Sequence, residues 1–558
     1  MPMASSPHPS RRGLLLLLLV GLLIWFGPLG YRNLVKPDEG RYAEIAREMA
    51  VSGDWITPRL NGIKYFEKPP LQYWATAAAF NVFGTSDWVA RLWTALTGFL
   101  TVIVVWWAGR QIFSPIAGLY AALVTASSFY FIGMGHVSTL DMGLAFFTTL
   151  ALVGFCTAVQ PGVTETVRRR AMLVTWAAMA LAVLSKGLVG VVLPGATLTL
   201  YMIFTRDWQL LRRLHLLPGL AVFFFIAAPW FIVVSLRNPE FAWFFFIHEH
   251  VLRYTTSEAR REGPIYYFVP ILVIGFLPWL FVMLDVLWSV VRRPRSWTAA
   301  AGRPALALLI WSVFTFAFFS ASGSKLPSYI LPIFPALALM IGRRLAELEP
   351  RRLMLRIGPV MLIALIGIYF VAQAAANADE PTLQPLYIRY SYWLYAAVAV
   401  TLAGAGWCCY YAWRGNRNTG LITLATAGLI AGQLAVCGHQ SMAPTQSAAM
   451  LARTLRSRVD ATTPFYSLKM YDYTLPFYLG RTLTLVDYRD EFSYGLDQQP
   501  ALAVPSVDEF KSRWVRGGHA FALMSPDLYE ELQAQGLAMK LVVNDGNRVV
   551  VEKPGEDK

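Results

Sequence analysis

The chain has 558 residues, of which 56% are hydrophobic and only 15% charged, and its mean hydropathy is +0.46. A soluble domain carries roughly 25% charged residues. Most of this chain instead falls into apolar stretches of about 20 residues, the length that crosses a bilayer as a helix. The composition therefore excludes a string of soluble domains and indicates an α-helical polytopic membrane protein.

The formal charge of +14 would suit a nucleic-acid-binding protein or a membrane protein with positively charged inner loops. Its placement decides between them. The short turns predicted to lie outside contain only Lys186, Lys325 and Arg389. The predicted inner loops contain Arg11, Arg12, Arg110, Arg168 to Arg170, Arg206, Arg212, Arg213, Arg292, Arg293, Arg295, Arg303, Arg343, Arg344, Arg351, Arg352, Arg356, Arg414 and Arg417. This bias predicts a cytoplasmic amino terminus and no nucleic-acid partner.

The first apolar run follows Arg11 and Arg12 and resembles a signal peptide, but no A-x-A cleavage site follows it. We interpret it as an uncleaved first membrane helix, one of about thirteen spans. The other predicted spans are residues 88–108, 113–132, 139–158, 171–185, 188–204, 216–236, 265–291, 304–321, 328–342, 357–374, 391–412 and 421–438.

This topology predicts a membrane domain over residues 1–440, with outer loops at 31–87 and 237–264, and an outer domain over 441–558. The outer domain should have a small α/β fold, because strand-like and helix-like runs alternate in it. The strand-like runs are Thr482–Val486, Ala520–Met524 and Leu541–Glu552, the last folded over Asn544-Asp545-Gly546-Asn547, and the helix-like runs are Ser506–Val515 and Pro526–Gln535.

The first outer loop contains a clear helix start. Pro37 precedes Asp38 and Glu39, and both the fixed φ of proline and the helix dipole favour a helix that begins at Asp38. Ile45, Ala46 and Met49 then form an apolar stripe at helical spacing, which predicts a helix along the membrane interface.

The same loop continues with Tyr65-Phe66-Glu67-Lys68-Pro69-Pro70. Two prolines cannot continue a helix but can begin one, so Glu67 and Lys68 are predicted to lie at a bend before a second interfacial helix rich in aromatic residues. Solvated loop charges and an aromatic belt are the alternative interpretation. The sustained density of charged and aromatic residues across the loop favours a functional site.

Several motifs taken together resemble the aminoarabinose transferases, C-type membrane glycosyltransferases related to the protein O-mannosyltransferases. The matching motifs are Pro37-Asp38-Glu39, Arg41-Tyr42-Ala43-Glu44-Ile45, Arg47-Glu48-Met49, Ser52-Gly53-Asp54-Trp55-Ile56, Tyr65-Phe66-Glu67-Lys68-Pro69, Ser185-Lys186-Gly187, Glu249-His250 with Arg253, Leu277-Pro278-Trp279-Leu280 and Lys325-Leu326-Pro327-Ser328-Tyr329-Ile330-Leu331. Gly40 departs from the pattern, since these transferases often have threonine there, and no motif matches after about residue 350.

The resemblance implies transfer of 4-amino-4-deoxy-L-arabinose from undecaprenyl phosphate to a phosphate of lipid A at the bacterial inner membrane, which gives resistance to polymyxin and cationic peptides. The leaving phosphate gains negative charge, so the site needs cations on the outer side. The candidate donor-phosphate ligands are Lys68, Arg253, Lys186, Lys325, Arg41 and Tyr329. Lys186 and Lys325 lie in short outer turns, and phosphate binding is not the only interpretation of them. In the structural alternative, each side chain extends from a helix end to the membrane surface and binds no ligand.

Three carboxylates are candidate catalytic groups. Asp38 is expected to orient or activate the acceptor, Asp141 lies at the outer end of a span without an obvious local basic partner, and Glu67 precedes Lys68. His248 with Glu67 suggests a bound divalent metal such as zinc, but the spacing of His248-Glu249-His250 is poor for a helix. We therefore expect that no cofactor is required.

Three other functions are alternatives. A related transferase could move another sugar to a protein or glycan, in which case Asp38 would have to take a proton from a hydroxyl. A lipid flippase or transporter usually has repeated halves and a midplane site, neither of which the sequence indicates. A receptor would leave the outer charges without a chemical role. The sequence does not determine the oligomeric state, although we expect a monomer.

Overall fold

The computed structural model describes residues 11–252, 263–292, 303–377, 380, 381, 383–460 and 462–554. Its contacts group the chain into two compact units. Unit 1 contains the residues up to Leu29, Glu67–Gln72 and Arg91–His439. Unit 2 contains Gly30–Phe66, Tyr73–Ala90 and the chain from Gln440 onward, so the first predicted outer loop folds together with the carboxyl-terminal segment.

Unit 1 is helical. Its α-helices are Arg11–Phe26, Asp87–Ile112 (of which unit 1 contains Arg91 onward), Pro115–Ser127, Phe129–His136, Asp141–Ala158, Glu165–Lys186, Val189–Thr205, Leu210–Arg213, Leu216–Arg237, Phe241–Trp243, Phe268–Gly275, Leu280–Arg292, Arg303–Ala321, Ile333–Glu347, Pro350–Ala376, Gln384–Trp413 and Arg417–Gly438. Unit 1 also contains a π-helical segment at Phe244–Leu252 and a 3-10 turn at Pro327–Ile330.

Each predicted span coincides with one of these helices or with a bent pair. Within the described ranges, seven helices are long and apolar enough to cross a membrane, and nine if each of two bent pairs counts as one span. The bent pairs are Pro115–Ser127 with Phe129–His136 and Phe268–Gly275 with Leu280–Arg292. The other predicted spans fall on shorter or more charged helices, so the total of about thirteen stays a prediction.

Small residues allow the helices of unit 1 to approach closely. A Cβ atom at Gly342 would lie 2.6 Å from the carbonyl oxygen of Ala117 and 2.6 Å from the nitrogen of Ala121. The Ile333–Glu347 helix therefore packs directly on the backbone of Pro115–Ser127. Such packing through small residues is usual where the surrounding lipid provides no hydrophobic drive for association.

Unit 2 has an α/β architecture. Its helices are Asp38–Ser52, Leu71–Phe83 (of which unit 2 contains Tyr73 onward), Ala443–Gln446, Ala449–Leu455, Leu475–Leu479, Ser493–Gln498, Val507–Arg516 and Pro526–Ala534. Its 3-10 turns are His439–Met442 (of which unit 2 contains Gln440 onward), Asp490–Phe492 and Pro500–Leu502. Its strands are β1 (Arg59–Leu60), β2 (Ile63–Lys64), β3 (Phe465–Leu468), β4 (Thr484–Val486), β5 (Ala503–Val504), β6 (Phe521–Met524), β7 (Lys540–Asn544) and β8 (Val549–Glu552).

Strands β1 and β2 form a two-stranded sheet, and the other six form a sheet in the order β5-β4-β3-β6-β8-β7. The neighbouring strands from β5 to β6 pair in parallel, whereas β8 pairs antiparallel with both β6 and β7. Strand β6 is buried throughout. Its Ala522 and Met524 pack in one core with Phe510, while Phe521 and Leu523 pack in another with Leu451. Helices thus cover both faces of the sheet.

The predicted small α/β domain is confirmed. The predicted strands correspond to β4, β6 and the β7-β8 hairpin, and the predicted helices correspond to Val507–Arg516 and Pro526–Ala534. Sequence reasoning did not find β3 or β5, because each is a short run without a nearby hairpin turn.

The first outer loop confirms one expectation and corrects another. A helix does begin at Asp38. Its apolar stripe, however, is covered by protein and does not face lipid, since Ile45 and Ala46 are fully buried and Met49 is 3% exposed. The helical spacing of these residues therefore reflects packing inside unit 2.

Candidate active site

Two helix ends bring Asp141 and Lys186 together in unit 1. Asp141 begins the Asp141–Ala158 helix, and Lys186 ends the Glu165–Lys186 helix that packs along it. The Lys186 ammonium group donates a hydrogen bond to Asp141 Oδ1 and lies 4.9 Å from the centre of the Tyr329 ring. The sequence indicated no obvious local basic partner for Asp141, and the partner in the folded chain lies 45 positions away, at the end of the next helix.

The environment of this ion pair makes each charge dependent on the other. The side chains of Lys186 and Asp141 are only 14% and 8% exposed. The helix dipole favours an acid in the first turn and a base in the last. Removing one member of such a pair leaves a buried charge without a partner, which costs several kcal/mol.

Lys68 lies in a second group of charges in unit 1. Its ammonium group is 3.2 Å from Glu249 Oε2 and donates a 2.8 Å hydrogen bond to the backbone oxygen of Glu67. The Glu67 carboxylate is 4.0 Å from the ammonium, and His248 Nδ1 is 3.5 Å from Glu249 Oε1. Three of the predicted site residues, Glu67, Lys68 and His248, are therefore close together, and Glu249 joins them.

This group bears on the predicted metal. In the described part of the chain, no three His, Cys, Asp or Glu side chains lie close enough to hold a metal ion. The ammonium group of Lys68 lies near both carboxylates instead, and it supplies the positive charge that a metal would bring. The metal at His248 and Glu67 therefore stays a prediction, and no chemical step is assigned to it.

A direct hydrogen bond connects the segments that carry these two groups. Gln72 Nε2, shortly after Lys68, lies 3.3 Å from the hydroxyl oxygen of Ser138, just before Asp141. Lys325 also lies in unit 1, where its buried ammonium group donates a 2.8 Å hydrogen bond to the backbone oxygen of Ser322. Arg253 lies outside the described residues.

Arg41 is the centre of the third group, which belongs to unit 2. Its Nη1 donates a 3.1 Å hydrogen bond to Asp38 Oδ1, and its Nε is 3.0 Å from Glu491 Oε2. The guanidinium carbon also lies 4.9 Å from the centre of the Tyr473 ring. The Asp38 side chain is 42% exposed whereas that of Glu491 is 9% exposed, so Asp38 is the accessible acid.

The segment that carries Tyr473 is rigidly held. Asp472 accepts a 2.6 Å hydrogen bond from Arg548 Nη1, and both side chains are almost fully buried. Burial alone would raise the pKa of Asp472, but Arg548 and Thr474 together hold it below the ordinary value. Burial and the nearby Glu491 raise the pKa of Tyr473, so its hydroxyl stays protonated.

Sequence reasoning missed Glu249, Glu491 and Tyr473 as contributors to the site. Glu249 could have been found, because it lies between two histidines that attracted attention as metal ligands. Glu491 and Tyr473 lie far along the chain from Arg41, in a segment without a recognisable motif. Only folding reveals their contacts with Arg41.

Family comparisons cover both ends of the chain. Residues 451–553 match the family described as aminoarabinose transferase C-terminal domain, and residues 10–245 match dolichyl-phosphate-mannose-protein mannosyltransferase. An undecaprenyl phosphate-α-4-amino-4-deoxy-L-arabinose arabinosyl transferase from Aeromonas salmonicida is 32% identical over 391 residues, which is 69% of each chain. A second such transferase, from Proteus mirabilis, is 29% identical over 416 residues, or 72% of each chain.

Solved structures extend the likeness to the full length. The crystal structure of ArnT from Cupriavidus metallidurans bound to undecaprenyl phosphate has a TM-score of 0.93 and 39% identity, and the match covers 98% of this chain and 100% of that one. The Archaeoglobus fulgidus oligosaccharyltransferase has a TM-score of 0.52 at 12% identity, over 92% of this chain and 69% of that one, which shows a shared fold alone. The chain is a multi-pass membrane protein that belongs to the aminoarabinose transferase family of glycosyltransferases, related to the protein O-mannosyltransferases.

Proposed function

We propose that this protein transfers 4-amino-4-deoxy-L-arabinose from undecaprenyl phosphate to a phosphate group of lipid A. The full-length likeness to ArnT from Cupriavidus metallidurans, solved with undecaprenyl phosphate, is the observation that carries the proposal. The named relatives support the identity of the sugar. Modification of this kind adds a positive charge to lipid A and thereby gives resistance to polymyxin and other cationic peptides.

The reaction exchanges one bond to the sugar for another. An oxygen of the lipid A phosphate attacks the anomeric carbon, the bond from that carbon to the undecaprenyl phosphate oxygen breaks, and the bonding electrons leave with the phosphate. Cations fixed where this charge develops lower the barrier most. Lys68 and Lys186 suit that role, because each is already held by a buried carboxylate and an ammonium group has three N–H donors to share.

The carboxylates have a different task. A phosphate acceptor is ionised at neutral pH, so it needs no strong general base. The exposed carboxylate of Asp38 can instead hold the amine or a ring hydroxyl of the sugar, while Arg41 fixes its orientation. Asp141 positions Lys186. Arg253, Lys325 and Tyr329 remain candidate contacts of the donor phosphate, and the proposed reaction requires no cofactor.

The arginine-rich loops support a reaction on the periplasmic side of the bacterial inner membrane. Arg168 to Arg170, Arg212 and Arg213 belong to loops that the positive-inside rule assigns to the cytoplasm. Lys186 lies at the other end of the Glu165–Lys186 helix from the first of these arginines. This position of Lys186 supports a site that is open to the periplasm.

Mass spectrometry of lipid A tests the proposal. The host should lack its own aminoarabinose transferase but make the donor, and it should express the unaltered chain, Asp38→Asn or the exposed control Asp508→Asn. We expect an aminoarabinose-sized mass gain with the unaltered chain and the control, and a strong loss with Asp38→Asn. No gain from unaltered protein present in the membrane would point to another sugar or acceptor. A full gain with Asp38→Asn would remove Asp38 from the mechanism.

A further inference from the structure

A groove of about 590 Å³ lies between the Leu280–Arg292 and Pro350–Ala376 helices of unit 1. Its lining includes Asp285 and Arg356 together with apolar side chains that the transfer reaction does not use. The groove lies away from the candidate active site. Arg344, which contacts its Asp285, is in the last turn of the 15-residue Ile333–Glu347 helix, roughly 20 Å along the axis from the end near Tyr329 and Lys325.

The polar part of the groove presents positive charge outward. Asp285 accepts a 2.6 Å hydrogen bond from Arg344 Nε and a 2.7 Å hydrogen bond from Arg356 Nη2. Arg344 also lies 3.9 Å from Glu347 Oε2, and Arg343 lies 3.2 Å from Glu347 Oε1. Three arginines against two carboxylates leave a net positive charge. The acid is only 7% exposed whereas the Arg356 side chain is 40% exposed, so an approaching ligand meets the cation and not the acid.

A second cation, Arg292, lies about two helical turns beyond Asp285 on the same helix. Arg292 stacks over the Trp288 ring, with its guanidinium carbon 4.4 Å from the ring centre. Within the described residues Arg292 has no salt-bridge partner. A stacked guanidinium keeps its N–H donors available at the ring edge, and arginine suits the two-pronged binding of a phosphate group.

The rest of the groove is apolar and exposed. Leu284 is 45% exposed, Trp288 54%, Val291 73% and Leu355 70%. In a membrane protein such side chains face acyl chains, and tryptophan is enriched at the level of the lipid headgroups. An anion site at the end of an apolar channel fits a molecule with a phosphate at one end and hydrocarbon at the other.

We propose that this groove binds an anionic phospholipid, with its headgroup phosphate at Arg356 and Arg292 and an acyl chain along Leu284, Val291 and Leu355. The lipid belongs to the bilayer leaflet next to the arginine-rich loops, where anionic headgroups attract basic side chains. A zwitterionic lipid binds more weakly, because its own cation competes with the arginines. The proposal does not depend on the transfer reaction.

Native mass spectrometry of the full chain tests this proposal. Protein released from nanodiscs of phosphatidylglycerol and phosphatidylcholine should retain phosphatidylglycerol preferentially. Loss of one arginine should weaken that retention about fivefold, the effect of one surface charge next to an anionic headgroup. Arg356→Gln is the first variant. Arg351→Gln is the matched control, because Arg351 is on the same helix but, unlike Arg356 and Arg292, neither lines the groove nor stacks on a described side chain that does.

A second variant, Arg292→Gln, distinguishes lost lipid binding from misfolding. Arg356→Gln removes a partner of Asp285, whereas Arg292→Gln does not, and it should weaken retention to a similar extent. Inorganic phosphate should not displace the lipid, because it lacks the acyl chain. Equal retention of the two lipids, or equal retention by Arg356→Gln, Arg292→Gln and Arg351→Gln, would overturn the proposal. Displacement by inorganic phosphate alone would overturn the lipid assignment.

Discussion

Gly40 lies directly against the backbone of Tyr473. A Cβ atom at position 40 would be 2.5 Å from the carbonyl oxygen of Tyr473 and 2.7 Å from Cγ2 of Thr474. Folded proteins do not contain contacts that short, so this position requires glycine. The contact gives a physical reason for the departure from the threonine that similar transferases often have here. It also places Arg41 beside the Tyr473 ring.

Gly40→Ala should therefore destabilise unit 2 and lower transfer activity. Overfilling a packed site costs about 1–3 kcal/mol, and displacement of the Asp38–Ser52 helix would also move Arg41 away from Glu491. Gly358→Ala is the control, since a Cβ atom at that helical glycine would meet nothing within 4 Å. Thermal unfolding of the purified protein measures the difference. Equal unfolding temperatures for the two variants would contradict the close approach.

The Asp141–Lys186 pair allows the structural and chemical roles of Lys186 to be separated. Lys186→Met leaves Asp141 buried without its partner and should destabilise the protein by about 3–5 kcal/mol. Adding Asp141→Asn removes the stranded charge and should restore much of the stability. Transfer activity should stay low in the double variant, because the cation for the donor phosphate is still missing. Recovery of activity together with stability would show that Lys186 has a structural role only.

Glu48 should make stability depend on pH. Its Oε2 accepts a 2.8 Å hydrogen bond from the Gly62 nitrogen, whereas its buried Oε1 has no hydrogen-bond partner among the described residues. Burial and the neighbouring Glu44 raise the pKa of Glu48 from 4.5 to about 8. Unfolded chains lose this proton near pH 4.5 but folded ones near pH 8. The contribution of Glu48 to stability is therefore greatest below about pH 4.5 and is lost as the pH rises to about 8.

Glu48→Gln should remove this dependence. The variant should unfold at a higher temperature than the unaltered protein at about pH 8 and at nearly the same temperature at about pH 4.5. Glu509→Gln, which removes an exposed carboxylate, is the control and should leave the pH profile unchanged. Parallel pH profiles for the unaltered protein and Glu48→Gln would contradict a protonated Glu48.

Chelation should leave transfer intact. The Lys68 ammonium group lies close to the Glu67 and Glu249 carboxylates, so the charge balance of this group needs no metal ion. Protein treated with EDTA and freed of metal, as checked by elemental analysis, should retain its transfer rate within about twofold of untreated protein. A large loss that zinc restores would assign a metal to His248 and its neighbours.

Much of the fold follows from local patterns in the sequence. Apolar runs predict the helices of unit 1, and the Asn544–Asn547 turn predicts the β7-β8 hairpin, because both signals depend on neighbouring residues. The apolar stripe of the Asp38–Ser52 helix led to one wrong prediction, namely that the helix lies along the membrane interface. A stripe shows that one face is buried but not whether lipid or protein covers it, and here the cover is protein.

The candidate site was only partly predictable for a similar reason. The types and positions of Asp38, Lys68, Asp141 and Lys186 identify them as unusual charges on the outer side of a membrane protein. Their pairing is a property of the folded chain, as the contact between Arg41 and Glu491 shows. No local pattern connects two residues that are hundreds of positions apart, so the contribution of the carboxyl-terminal segment could not be foreseen.

The most direct test of the central claim is transfer by purified protein in proteoliposomes. The assay would supply undecaprenyl phosphate carrying 4-amino-4-deoxy-L-arabinose, with lipid A as the acceptor, and would measure the masses of both products. A matched hexose donor is the control. We predict aminoarabinose on a lipid A phosphate and one released undecaprenyl phosphate for each transfer, with little product from the hexose donor. Unchanged lipid A, or preferential transfer of the hexose, would contradict the account.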